Sequence, residues 1–90
     1  MIVAKYYELF RQEENDVNIP PHVPILQEVT EDDDGELNDV YYVRGDGKEP
    51  EVDKLGICAT FQLFSNALAY ARVIYLMLKA KEEVKGGKDE

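Results

Sequence analysis

The sequence has one cysteine, one histidine and no tryptophan among its 90 residues. A single cysteine excludes a disulfide framework within the chain, and one cysteine with one histidine is too few for a zinc site built from those residues alone. Bases are also scarce, because 10 lysines and arginines stand against 19 acids, for a formal charge of -9. Such a chain is not expected to bind nucleic acid or anionic lipid directly, since both are negatively charged.

Targeting signals and long apolar runs are missing as well. Tyr6, Tyr7 and Glu8 interrupt the only apolar run near the start, so the sequence predicts no secretory signal peptide. Residues 57–78 are long enough to span a bilayer, but they include Arg72, and a charge at the centre of a lone spanning helix costs about 2.5–3.5 kcal/mol. We therefore expect a cytoplasmic protein that contacts no membrane, in which Cys58 is a reduced, buried side chain.

The composition is that of one globular domain. Hydrophobic residues make up 44% of the chain and charged residues 32%, and a chain of this length has room for one core. The sequence predicts a single domain over residues 1–90, with a β-rich part at 1–62, a helix at about 65–85 and a frayed tail at 86–90. We find no internal repeat.

Short β-rich runs fill the first two thirds of the chain. Residues 23–30 and 39–44 are rich in Val, Ile, Tyr and Thr, which favour strands. Between them, Asp34-Gly35 predicts the turn of a β-hairpin with an acidic tip. Residues 55–61 alternate in a way that predicts another short strand. Residues 2–11 fit either a strand or a helix, and their β-branched and aromatic side chains favour the strand.

A long helix is predicted after these strands. Ser65 or Asn66 would serve as its N-cap, basic residues follow near its end, and Gly86-Gly87 is expected to stop it at about Lys85. The predicted fold class is therefore α+β, with a small antiparallel sheet of three to four strands packed against one long C-terminal helix.

The predicted helix is apolar around most of its circumference. Between residues 67 and 78 only Arg72 is charged. A small sheet can cover one side of such a helix, and an exposed apolar patch on the other side would reduce solubility. We expect the same helix of a second copy to cover it, which predicts a homodimer. A loop, or the N-terminal segment folded as a helix, is the alternative cover. The predicted dimer interface consists of Leu68, Ala71, Arg72, Tyr75 and Leu78.

The negative charge is concentrated in the middle of the chain. Residues 13–53 contain fourteen acids and two bases, Arg44 and Lys48, for a net charge of -12. Alternate residues on a strand lie about 6.8 Å apart, so acids there would form a regular row that competes for a basic groove that normally holds phosphates. The predicted partner-binding surface consists of Glu28, Glu31, Asp32, Asp33, Asp34, Glu36, Asp39, Glu49, Glu51 and Asp53.

The sequence contains no recognisable catalytic or metal-binding pattern. Counted from Asp32, a calcium-binding EF-hand loop would need glycine and glutamate where Leu37 and Val43 stand; a weak cation site at the hairpin tip stays open. His22 and Cys58 lack a third group that would orient the base. Arg44-Gly45-Asp46 is read most simply as a turn after a strand. We therefore predict no enzyme, no cofactor and no metal.

These features together predict a non-enzymatic, acidic protein-binding module. It would act as an inhibitor or decoy that engages a basic, nucleic-acid-binding protein. Phages and mobile elements encode DNA mimics and other anti-defence proteins of this size and acidity, although no motif here assigns a family. The alternative is a structural or adaptor homodimer whose acids only keep it soluble.

Overall fold

The computed structural model describes residues 2–10 and 23–88. Within them, four strands form one antiparallel sheet whose order follows the chain, and one long helix packs on one face of that sheet. The predicted α+β architecture is confirmed, and residues 2–10 form a strand. The elements are β1 (Ile2–Phe10), β2 (Ile25–Asp32), β3 (Leu37–Arg44), a 3₁₀ helix (Val52–Ile57), β4 (Cys58–Phe61) and α1 (Phe64–Lys88).

β2 and β3 form the predicted hairpin. Its loop is closed by two backbone hydrogen bonds of 3.0 Å, from the Gly35 N–H to the Asp32 carbonyl and from the Asp32 N–H to the Glu36 carbonyl. Gly35 has a φ of 83°, a left-handed conformation that glycine adopts without a steric penalty. Oδ1 of Asp32 also accepts hydrogen bonds from the N–H groups of Asp34 and Glu36, at 3.0 and 2.9 Å. Asp32 therefore shapes the loop in addition to carrying charge.

The core lies between the sheet and the first half of α1. Ala67 and Ala71 are fully buried, and their small side chains allow the helix to approach the strands closely. At the helix start, the ring of Phe64 packs on Phe10 and Tyr41, with centroid distances of 5.2 and 5.5 Å. The buried cluster consists of Val23, Ile25, Val43, Ala67, Ala71 and Ile74.

The start of α1 differs from the predicted one. The helix begins at Phe64, so Ser65 and Asn66 lie in its first turn and neither is the N-cap. The carbonyl of Leu63 accepts a hydrogen bond of 3.1 Å from the Asn66 N–H. The aromatic contacts of Phe64 with the sheet account for the earlier start, because they hold this residue at the position where the first turn must form.

The end of α1 also differs. The helix continues to Lys88, so Gly86-Gly87 does not stop it, and the predicted frayed tail is helical up to that residue. A glycine costs a helix about 1 kcal/mol relative to alanine but keeps its backbone donor and acceptor. It therefore weakens a helix without having to end it.

The strand predicted over residues 55–61 is shorter in the structure. β4 begins at Cys58, and the residues before it belong to the 3₁₀ helix. Cys58 pairs with Arg44, which is the last residue of β3. Residues before Cys58 therefore have no residue of β3 beside them to pair with, and Ile57 is 64% exposed.

Gly47 determines how closely the segment after β3 can approach α1. This residue is buried and has a φ of 79°. A Cβ atom placed on it would lie 2.6 Å from Cδ1 of Leu78 and 3.5 Å from Cγ2 of Ile74. The contact therefore needs a residue that has no side chain and tolerates a positive φ.

We expect Gly47→Ala to lower the free energy of unfolding by about 1–2 kcal/mol, because an L-residue is strained at positive φ and Leu78 must move. Urea denaturation measures the change. Gly56→Ala is the matched control, since no heavy atom lies within 4 Å of its added Cβ and its φ is not positive. Equal losses in the two variants would show that the contact with α1 is unimportant.

Candidate functional site

The acids predicted to form one partner-binding surface lie in three separate places. Glu28 is on the sheet face opposite α1, and Glu49, Glu51 and Asp53 follow β3. β3 has 8 residues, so the two ends of this strand are about 24 Å apart. The remaining acids lie at or beside the hairpin loop, at the other end of β3, and we call them the hairpin acids: Glu31, Asp32, Asp33, Asp34, Glu36 and Asp39.

Glu28 is a buried carboxylate that joins three strands. Its residue exposure is 7%. Oε1 accepts a hydrogen bond of 2.8 Å from the Tyr42 hydroxyl, and Oε2 accepts one of 3.1 Å from the Tyr7 hydroxyl. Nζ of Lys5 lies 3.3 Å from Oε2. Because these neighbours enclose the carboxylate, a partner protein would reach little of it, and Glu28 is not part of the accessible acidic surface.

The pKa of Glu28 is lowered and that of Tyr42 is raised, which keeps the proton on the Tyr42 hydroxyl. Burial raises the pKa of Glu28, but hydrogen bonds from Tyr42, Lys5 and Tyr7 outweigh burial and bring it below its ordinary value of 4.5. Burial and the hydrogen bond to Glu28 raise the pKa of Tyr42 to about 12. At neutral pH the acid is therefore ionised and Tyr42 protonated, so neither is suited to exchange a proton in catalysis.

The hairpin acids form the most negative part of the described chain. Residues 31–39 include six acids and no base. Lys5, on the neighbouring strand β1, lies with Glu28 on the sheet face opposite α1. Glu31 and Asp32 are consecutive strand residues, so their side chains point to opposite faces, and Asp33 and Asp34 lie in the loop. The acids therefore surround the hairpin end instead of forming the regular row predicted along one strand.

The acids after β3 have bases beside them. Nη2 of Arg44 lies 2.8 Å from Oδ2 of Asp46, and Nη1 of the same side chain lies 3.8 Å from Oε2 of Glu51. Nζ of Lys54 lies 3.5 Å from Oε1 of Glu51. Exposed ion pairs contribute little to stability, but they reduce the net charge that a partner would meet. The Gly47 N–H donates to the Arg44 carbonyl at 3.1 Å, which confirms the turn predicted at Arg44-Gly45-Asp46.

α1 leaves the hairpin end of its own sheet face uncovered. The strand register defines three rows on this face: Glu8, Gln27, Tyr41 and Phe61; then Tyr6, Val29 and Asp39; then Ala4, Glu31 and Leu37. The helix begins over the first row, where Phe64 contacts Tyr41, and runs toward Gly47, away from the hairpin loop. The last two rows contribute nothing to the core cluster, and Tyr6 and Leu37 are 60% and 64% exposed.

The predicted dimer interface is divided between two sides of α1. Ala71 is fully buried against the sheet, and Leu68 and Tyr75 pack against the same core. Leu78 borders the core at Gly47, whereas Arg72 is exposed. A second copy could not contact Ala71 while the helix stays on the sheet.

A different apolar face of α1 is open to solvent. Val73, Leu76 and Met77 are 52%, 61% and 63% exposed, and we call these three residues the outer helix face. The charged residues between 64 and 81 are Arg72, Lys79 and Lys81, all basic. The outer helix face is therefore apolar with basic neighbours, in contrast to the hairpin end of the sheet.

The described residues were compared with the requirements of a metal site and of a reactive thiol. Within residues 2–10 and 23–88 no group of three or more His, Cys, Asp or Glu side chains is placed to hold a metal ion. Burial raises the pKa of the half-buried Cys58 thiol although Arg44 lowers it, so this thiol is a poor nucleophile at neutral pH. His22 lies outside the described residues. An open groove of about 370 Å³ borders Gly45, Asp46, Ile74, Met77, Leu78 and Lys81.

The helices described for this chain include none with the length and apolar character needed to cross a membrane. Comparison of the chain with protein-family models, with curated proteins and with solved structures finds no match in any of the three. The fold and its surfaces define a small α+β protein with an acidic hairpin end and an apolar outer helix face.

We expect Tyr42→Phe to destabilise the fold by about 1.5–3 kcal/mol at pH 7, because it removes a hydrogen bond to a buried charged group. Tyr6→Phe is the control, since Tyr6 lies on the other sheet face and is 60% exposed. Chemical denaturation of both variants measures the difference. Similar small effects would contradict the role given to the Glu28 cluster.

The hydrogen bond between Tyr42 and Glu28 also predicts that this destabilisation depends on pH. The folded pKa of Glu28 lies below its ordinary value, so its carboxylate stabilises the fold above the unfolded pKa of about 4.5, and this contribution disappears as the pH falls through the folded pKa. The destabilisation caused by Tyr42→Phe should therefore be smaller at pH 3 than at pH 7. A constant effect across that range would contradict the assignment.

Proposed function

We propose that this chain is a non-enzymatic, acidic protein-binding module that engages a basic, nucleic-acid-binding protein as an inhibitor or decoy. The observation that carries the proposal is the hairpin end, where six acids and no base occupy residues 31–39 and the loop is exposed. After β3, Arg44 and Lys54 lie beside Glu51. The hairpin end is therefore the part of the described chain with the strongest attraction for a basic surface.

The proposed mechanism is competition for a phosphate-binding groove. Proteins that bind nucleic acids hold phosphates with arginines and lysines, and these side chains also pair well with carboxylates. The hairpin presents its acids on both faces and at the loop, so it can enter a groove and meet bases on either side. Asp32 holds the loop closed through its two hydrogen bonds, which reduces the conformational entropy lost on binding.

We favour one form of this function, in which a phage or mobile-element protein mimics DNA and thereby blocks a nuclease or another defence enzyme. Such mimicry needs dense negative charge on a small stable scaffold, and the charge of -9 and the antiparallel sheet supply both. Electrostatic steering by the hairpin end would accelerate the encounter with the basic partner.

The test compares two triple variants with the same change in charge. Asp33→Asn with Asp34→Asn and Glu36→Gln neutralises the hairpin acids but keeps Asp32, which shapes the loop. Glu49→Gln with Glu51→Gln and Asp53→Asn neutralises the acids after β3. Against a basic nucleic-acid-binding protein recovered from the source cell, we expect the first variant to bind about tenfold or more weakly and the second less than threefold.

Binding of the unmodified chain should also weaken steeply between 50 and about 300 mM salt, because the Debye length shortens over this range. Isothermal titration at several salt concentrations measures both effects. A complex that is insensitive to salt, or one that both triple variants weaken equally, would contradict a charge-based function of the hairpin end.

The second candidate function is a structural or adaptor homodimer. The outer helix face favours it, because three large apolar side chains there are more than half exposed. On this reading the acids only maintain solubility, and neutralising the hairpin acids would leave activity unchanged.

A substitution on the outer helix face tests self-association. We expect Met77→Glu to shift the chain from dimer to monomer in analytical ultracentrifugation, with Val52→Glu as the control, since Val52 is 53% exposed outside α1. Two copies that each carry a charge of -9 repel one another, so added salt should strengthen the dimer while it weakens the complex with a basic partner. A strictly monomeric chain at high concentration would eliminate this function.

A further inference from the structure

The uncovered rows at the hairpin end form an apolar surface with acids around it. Tyr6, Val29 and Leu37 lie on neighbouring strands and share one face, and we call these three residues the sheet-end patch. Tyr6 and Leu37 are among the most exposed large hydrophobic residues of the described chain. Leu63, which precedes α1, is also 60% exposed. α1 lies on the other end of this same face and does not shield the patch.

The dimensions of this surface suit one helix. Neighbouring strands are about 4.8 Å apart, so β1 and β3 are about 10 Å apart, which matches the diameter of an α-helix. The two uncovered rows, from Asp39 to Leu37, extend over about 7 Å along the strands, which is a little more than one helical turn. The sheet already packs α1 on this face, so a second helix would continue an existing layer.

The charge around the sheet-end patch selects for a basic occupant. Glu31 lies beside Leu37 in the strand register, Asp39 lies beside Val29, and Glu8 occupies the adjoining row on the same face. Burial, together with the negative charges of Asp39 and Glu8, raises the pKa of Tyr41, which places both carboxylates close to this surface. The described residues in these rows include no base.

We propose that the sheet-end patch binds a basic amphipathic helix of the partner protein. The apolar side of that helix lies on Tyr6, Val29 and Leu37, and its lysines and arginines pair with Glu8, Glu31 and Asp39. This inference rests on the proposed function and identifies the element of the partner that is bound. Nucleic-acid-binding proteins often present a basic helix to DNA, and a helix bound here would be unavailable to its nucleic acid.

A second copy is the competing occupant, because the outer helix face of this chain is also apolar with basic neighbours. That arrangement would be head to tail and would extend into rings or filaments, since its two contact surfaces differ. Each added copy would also bring a charge of -9 to an acidic surface. A partner with a net positive charge fits the same surface without this repulsion.

The test uses a synthetic helical peptide as the probe. It has fourteen residues, mainly leucine and lysine in an amphipathic helical pattern, and one tryptophan. A scrambled peptide of the same composition is its control. Because the chain has no tryptophan, fluorescence anisotropy of the peptide reports binding without interference. We expect the amphipathic peptide to bind about tenfold or more tightly than the scrambled one.

Leu37→Glu separates apolar docking from attraction by charge alone. If the peptide lies on the sheet-end patch, this substitution weakens binding about tenfold, because the contact that the bound peptide makes with the Leu37 side chain is lost. If charge alone holds the peptide, the added acid strengthens binding instead. Val52→Glu makes a similar change at an exposed position outside both apolar surfaces and should not weaken binding. Leu37 is 64% exposed, and matched urea midpoints will show that both variants remain folded.

Four outcomes would overturn the proposal. Equal binding of both peptides, with stronger binding by the Leu37→Glu variant, would remove the docking surface but leave the charge-based decoy function intact. Loss of self-association in Leu37→Glu would assign the surface to a second copy. Failure of the amphipathic peptide to bind, while the basic partner protein still binds through the hairpin acids, would also reject it. Failure of both ligands to bind would reject the proposed function as well.

Discussion

The packing of Phe64 on Phe10 and Tyr41 determines which surfaces of this protein are open. It places the first turn of α1 near the middle of the sheet, and the helix then extends toward Gly47. A helix that began nearer the hairpin loop would cover the rows of Tyr6 and Leu37. Because it begins here, the apolar and acidic end of the sheet is exposed, and so is the helix face that points away from the strands.

Three residues of β2 on the opposite sheet face are also well buried. Leu26, Glu28 and Thr30 are only 5%, 7% and 9% exposed. Glu28 connects β1 and β3 through its contacts with Tyr7 and Tyr42, so the central strand is fixed to both neighbours by side chains as well as by the backbone. Rigidity of this sheet benefits the proposed function, because a preorganised acidic surface loses less entropy when a partner binds.

Much of the fold could be predicted from the sequence, because its signals are local. Asp34-Gly35 predicts the hairpin loop, and β-branched residues indicate the strands on either side of it. The site was harder to predict. In the sequence, Glu28 cannot be distinguished from other acids on strands. Its contacts with Tyr7 and Tyr42 depend on the strand register, and register depends on pairing between distant segments.

The helix shows the same limit. Its apolar residues surround most of its circumference, so periodicity could not indicate that Ala71 faces the sheet while Met77 faces solvent. The size of the side chains does indicate the face that packs on the sheet, since Ala67 and Ala71 recur at helical spacing and small residues permit close packing. The uncovered end of the sheet could not be foreseen from sequence, because it depends on where α1 starts and in which direction it runs.

The hairpin end of the sheet is open and strongly negative, and paramagnetic relaxation in NMR measures both properties on the free protein. A cationic nitroxide and a neutral one are compared for every assigned proton. We expect strong relaxation at Tyr6, Leu37 and Asp39, much stronger with the cationic probe, and no such preference at Leu76 and Met77. Protection of Tyr6 and Leu37 from both probes, or equal relaxation by the two, would contradict it.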